Sequence, residues 1–170
     1  MFSQEACVQI ESIDIIDNET RAISFTVTGV ALDDLSDPNQ GIDSIQLDFE
    51  HDSVSDLEIS LISPANQSIT IVGPITGSNL ITDFSSWDIS FLACSEMVDR
   101  DPTIEDDIYS NLSNWENLQI YNGSYYPFNG CFEDFNTGTV NGKWTLVISC
   151  LLYTSPSPRD ATLSRMPSSA

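Results

Sequence analysis

Basic residues are almost missing from this chain. Five Lys and Arg stand against 26 Asp and Glu in 170 residues, a formal charge of −21. Nucleic acids and anionic lipids bind a cationic face that displaces their counterions, so neither is expected as a partner. Long apolar runs are missing too, and none approaches the roughly 20 residues that cross a bilayer. No membrane span is expected. The opening MFSQEACVQI has neither the basic nor the apolar region of a signal peptide. His51 is the single histidine, and no GxSxG, HExxH, CxxC or EF-hand loop occurs. A Ser-His-Asp enzyme would have to use His51 as its base; a solvent-facing or turn-bonding histidine at a strand end is the ordinary reading. Zinc is poorly served by one histidine and scattered cysteines. A cysteine nucleophile at Cys94 or Cys131 would lie among acidic neighbours that raise a thiol pKa. No catalytic residues are expected. Charged residues make up only 18%, which points to one globular Ser/Thr/Asn-rich domain with an acidic surface rather than a disordered tail.

The last stretch, Cys150 to Ala170, reads CLLYTSPSPRDATLSRMPSSA and shifts abruptly to Pro, Ser and Arg. Codon for codon it resembles the translation of a transposon-type sequencing adapter, with a short index at Ala161 to Leu163. Residues 150–170 are therefore expected to be a non-native tail, to be left out of fold reasoning. Without them Arg21, Arg100 and Lys143 are the basic residues, and Cys7, Cys94 and Cys131 the cysteines. The expectation is a fragment that begins inside a longer reading frame and has no natural end.

Residues 1–20 read as an entry segment, with Val8, Ile10, Ile13, Ile15 and Ile16 giving one short strand. From there the period is two. Ile23, Phe25 and Val27 alternate with Ser24, Thr26 and Thr28; Ile45, Leu47 and Phe49 alternate with Ser44, Gln46 and Asp48. Leu57, Ile59 and Leu61 follow, then the turn SPANQ and the hairpin partner SITIV, Ser68 to Val72. Trp87 to Phe91 and Lys143 to Ser149 complete the set. β-branched and aromatic residues at this period favour half-buried strands, and no helix is expected. Short strands separated by turn signals predict an all-β antiparallel sandwich over residues 21–149.

Two acidic loops offer hard oxygen ligands of the kind calcium prefers. One carries Asp33, Asp34, Asp37 and Asn39; the other carries Asp99, Asp101, Glu105, Asp106 and Asp107. A solvated acidic loop is the ordinary alternative for each. Cys94 and Cys131 flank the second loop. Either they form a disulfide, which would stabilise by about 3–4 kcal/mol and imply an oxidising compartment, or they are two buried thiols. Cys7 is left over. Trp115, Tyr121, Tyr125, Tyr126 and Phe128 could stack on sugars, or fill the core and rim.

The run HDSVSDLEISLISPANQSITIV, His51 to Val72, resembles the strand-turn-strand centre of the P domain (P/Homo B domain) of kexin-like proprotein convertases and related secreted bacterial proteases. Asp56, Leu57, Ile59, Leu61, Ser63 and Pro64 match the DLxIxLxSPxG pattern, with Asn66 where the family has Gly. Further on, Asn141, Gly142, Trp144 and Leu146 match the family's NGxWxLxV strand, with Ile148 in place of Val. The resemblance covers about residues 22–149. It implies a jelly-roll-like β-sandwich, here lacking its last strand, with an open edge and poor stability. It also implies a non-catalytic domain, secreted or at the cell surface, that stabilises a subtilisin-like catalytic domain in the same polypeptide. His51, Asp56, Pro64, Gly142, Trp144 and the Cys94–Cys131 pair would then be structural residues. The rival reading is an adhesion or glycan-binding module using Trp115 and Tyr125.

Overall fold

The computed structural model describes residues 5–8, 13–16, 18–51, 57–73, 85–94, 120–150, 160–161 and 166–169. The strands are β1 (Glu5–Val8), β2 (Ile13–Asp14), β3 (Thr20–Val27), β4 (Ser44–His51), β5 (Leu57–Ile62), β6 (Ser68–Val72), β7 (Ser85–Leu92), β8 (Ile120–Tyr125), β9 (Gly142–Cys150), β10 (Asp160–Ala161) and β11 (Met166–Ser169). One four-stranded sheet has the order β3-β9-β5-β6, and a three-stranded sheet has the order β4-β7-β8. The inward side chains of both share one buried cluster, so the fold is a β-sandwich. A short 3₁₀ turn, Phe132–Asp134, lies between β8 and β9.

Alternation decides each strand. Along β4, Ile45, Leu47 and Phe49 point inward, and along β5 Leu57, Ile59 and Leu61 do the same. In β9, Trp144, Leu146 and Ile148 face the same interior while Lys143 and Thr145 face out. The three-stranded sheet adds a row of rings in register, Phe49, Trp87 and Tyr121. Their centroids are 5.1 Å apart for Phe49–Trp87 and 5.7 Å for Trp87–Tyr121, both stacked.

The pairing departs from a purely antiparallel sandwich at one seam. β7 and β8 run parallel, Ser86 opposite Ile120 through Phe91 opposite Tyr125. A parallel pair requires its connection to return along the length of the sheet, which accounts for the long interval between Leu92 and Ile120. β9 is not an edge: it lies between β3 and β5. The strands that bound the two sheets are β3, β6, β4 and β8. The entry segment forms two short strands rather than one. β1 pairs with β11 and β2 with β10, so pieces of the 150–170 tail lie beside the entry segment. Two-stranded pairings this short are marginal on their own and do not bear on the coding origin of the tail.

Candidate functional site

The turn between β5 and β6 is closed locally. Ser63 N–H donates to the Gln67 carbonyl at 2.9 Å, Asn66 N–H to the Ser63 carbonyl at 2.9 Å, and Gln67 N–H to Ser63 Oγ at 3.1 Å. Pro64 sits at the start of this turn, where it has no ladder bond to donate. Asn66 has φ +62°, in the left-handed region. Glycine enters that region freely and asparagine tolerates it better than other side chains, so Asn66 suits the turn.

The 126–142 segment then folds onto that turn and its strands. Phe128 N–H donates to the Ile71 carbonyl, and Thr70 and Asn129 exchange two backbone bonds, covering the outer edge of β6. Gln67 reaches across with its amide: Nε2 donates to the Asp134 carbonyl at 2.8 Å and to Asn136 Oδ1 at 3.2 Å, and Oε1 accepts from Thr137 N–H at 3.2 Å. Gly138 and Gly142 are two points where this segment presses against the turn. Gly138 has φ +88°, and a Cβ there would lie 2.7 Å from Ala65 Cβ. A Cβ on Gly142, φ +139°, would lie 3.1 Å from Pro64. The two sequence motifs are thus one object, the SPAN turn pressed against the NG turn. Behind it Trp144 donates its indole N–H to the Val140 carbonyl at 2.9 Å and meets Phe135 edge-on at 5.2 Å.

The first acidic loop is tied to the same clasp. Asn141 brackets Val30, accepting its N–H on Oδ1 at 3.0 Å and donating Nδ2–H to its carbonyl at 2.8 Å. Asp33 Oδ1 accepts from Asn141 N–H at 2.6 Å, and Leu35 N–H donates to the Gly138 carbonyl at 2.8 Å. Asp34 Oδ1 accepts from the hydroxyl and N–H of Ser36, which hold its carboxyl below the usual carboxylate range. Asp37 Oδ1 accepts from Asn39 N–H and Nδ2–H. Each carboxylate caps its own piece of backbone, and the three do not converge on one point. Through these bonds the three carboxylates act as turn caps.

Of the other anticipated residues, Cys94 and Cys131 form a disulfide with Cα atoms 5.5 Å apart. His51 ends β4, with Nε2 3.5 Å from Sγ of Cys150. That thiol is buried under the sheet at 3% exposure, so the pair presents no accessible nucleophile. Tyr125 and Tyr126 are buried as well, which removes their rings from any sugar-stacking surface. Asp56, Asp99, Asp101, Asp106, Asp107 and Trp115 lie outside the described residues. Gln67 and the bracket made by Asn141 were not anticipated. Their partners are 67–70 and 111 residues distant in sequence, and no local pattern announces such bonds.

No protein-family description and no curated protein matches the chain. Among solved structures it is similar to the serine protease of Aeromonas sobria in complex with its chaperone, at 12% identity and a TM-score of 0.48. It is similar also to a second structure of the Aeromonas sobria serine protease, at 13% identity and a TM-score of 0.44. In each case 99% of this chain is covered but only 26% of the neighbour, so the chain spans about a quarter of their length. Likeness at this level establishes neither a shared activity nor a shared partner. What stands on the geometry is a disulfide-linked β-sandwich whose two signature turns lock together.

Proposed function

We propose that the chain is a non-catalytic P/Homo B-type module of a secreted subtilisin-like serine endopeptidase, folded beside its catalytic domain and stabilising it. The observation that carries this reading is the nesting of its two motifs. Residues 63–67 and 138–142, far apart in sequence, meet at Pro64–Gly142 and Ala65–Gly138. A chance likeness of either motif gives no reason for the two to be complementary. The disulfide supports an oxidising compartment. Among the described residues no helix is long and apolar enough to cross a membrane. Locked turns and a filled interior suit a rigid brace better than a site that must open for substrate.

The test is to extend the reading frame upstream and delete residues 21–149 from the longer protein. A subtilase with its Asp, His and Ser motifs is expected upstream, and the deletion should abolish folding or shorten the half-life of thermal inactivation. Adhesin repeats upstream, or a deletion that leaves protease half-life unchanged, would overturn the proposal. Calcium belongs to the same proposal through the acidic run at 99–107. Millimolar calcium should raise the melting temperature, and Asp106→Asn with Asp107→Asn should remove the rise. Calcium with no effect on the intact sequence ends that part of the reading.

A further inference from the structure

The Cys94–Cys131 bridge is surrounded by carboxylates that are already organised around it. Cys94 N–H donates to Glu133 Oε2 at 3.1 Å, and Cys131 N–H donates to Asp134 Oδ2 at 2.7 Å. Each cysteine backbone is therefore held by a bond independent of the sulfur–sulfur link. The first of these bonds crosses directly from the end of β7 to the 3₁₀ turn at Phe132–Asp134. Breaking the disulfide would leave its two sulfurs as neighbours. Both sulfurs and a Glu133 carboxylate oxygen already lie within 4.8 Å of one another, with Glu133 exposed and the cysteines half-buried.

We propose that this corner is a redox-gated metal site: when the disulfide is reduced, Cys94, Cys131 and Glu133 bind one zinc-like divalent cation that takes over its linking role. Two thiolates and a carboxylate at tetrahedral zinc distances stand about 3.6–3.8 Å apart, with water as the fourth ligand. The two sulfurs, bonded to each other in the present structure, would have to move apart to that spacing on reduction. Thiolate ligands select zinc over the calcium and magnesium that an acidic surface otherwise attracts. Charge sets the order of events. Two thiolates beside Glu133 and Asp134 would bring like charges together, and the cation supplies the compensating charge. The balance is simple. A dithiol reductant reduces the disulfide to two thiols and is itself oxidised to a cyclic disulfide; the cation then displaces one proton from each thiol. Binding therefore weakens as pH falls. The inference rests on the disulfide and its neighbours, not on the accessory-module reading, and either can fail alone.

The experiment uses the full chain with Cys7→Ser and Cys150→Ala, so that only the proposed pair can respond. The protein is reduced with dithiothreitol, freed of reductant without oxygen, and titrated with zinc; cobalt(II) reports thiolate ligation by its charge-transfer absorption. One equivalent per reduced chain is expected, none for the oxidised chain, and zinc should protect both thiols from alkylation in peptide mass maps. Glu133→Gln keeps both cysteines and should weaken binding more than about 100-fold, beyond the roughly 10–100-fold of an outer-shell change. Asp134→Asn should stay within that outer-shell range. No stoichiometric binding by the reduced chain, no alkylation protection, or unchanged affinity in Glu133→Gln would each overturn the assignment. Circular dichroism of the reduced chain shows whether it remains folded, and an unfolded reduced chain overturns it equally.

Discussion

The outside of the four-stranded sheet carries three cross-strand hydroxyl pairs: Thr20 with Ser149 at 3.0 Å, Ser24 with Thr145 at 3.1 Å, and Ser60 with Thr70 at 3.2 Å. Across the outside of the three-stranded sheet Asp48 stands directly opposite Asp88. Gln46 Nε2 donates to Asp88 Oδ1 at 2.7 Å, while partial burial, and then the charge of Asp88, raise the Asp48 carboxyl above the usual carboxylate range. Like charges facing across a strand pair oppose folding. Inside, the contrast runs the other way, with the stacked rings of Phe49, Trp87 and Tyr121 filling the three-stranded side. One sheet is held by many modest contacts and a clasp at its end; the other concentrates its stabilisation in one aromatic row and tolerates a repulsive outer seam.

That comparison can be broken most forcefully at the aromatic row. Trp87→Ala removes a fully buried indole from the middle of the row and should cost about 3–5 kcal/mol, read as a loss of urea midpoint at unchanged slope. Cys94→Ser with Cys131→Ser releases the link between β7 and the 131–135 turn and should lower stability by about 3–4 kcal/mol in the same assay. Gln67→Ala strips three bonds from the clasp while leaving the core intact. A loss of about 1–3 kcal/mol is expected, with faster amide exchange in residues 134–137. The smallest effect has the opposite sign. Asp48→Asn should stabilise the protein at neutral pH by about 0.2–1 kcal/mol.

The pH dependence of that last variant sharpens the contrast between the sheets. The folded-state pKa of Asp48 is raised, so its contribution is most favourable below the unfolded-state pKa of about 3.9. That contribution is lost as pH rises through the folded value. The advantage of Asp48→Asn over the parent should therefore appear at neutral pH and vanish in acid. An advantage equal at both pH values would remove the repulsive seam from the account.

Much of the sandwich is legible in the sequence because burial imposes its own period. Phe25, Leu47 and Ile59 each sit between outward polar residues, and each falls where alternation puts it. β8 escapes that logic. YNGSY interrupts its apolar residues with Asn122, Gly123 and Ser124, and Gly123 has φ +147°, so no two-residue period announces the strand. Its parallel pairing is likewise a property of the chain path, which no window of neighbouring residues contains. At the clasp, Pro64 and Gly142 are visible as turn residues, but their contact is a tertiary fact. The acidic loop at 33–37 looks like a cation site because carboxylates are conspicuous. The backbone N–H groups that those carboxylates cap are partners a sequence does not display.

The central place of β9 has a consequence for synthesis. Residues 142–150 fill the slot between β3 and β5, so the β3 strand, made more than a hundred residues earlier, has no permanent neighbour on that side until β9 emerges from the ribosome. Pairings this remote also make for slow closure. The growing chain must therefore keep Ile23, Phe25, Leu57, Ile59 and Leu61 from adhering to other chains throughout translation. Its strong negative charge, which repels like copies, supplies that protection before the interior can form.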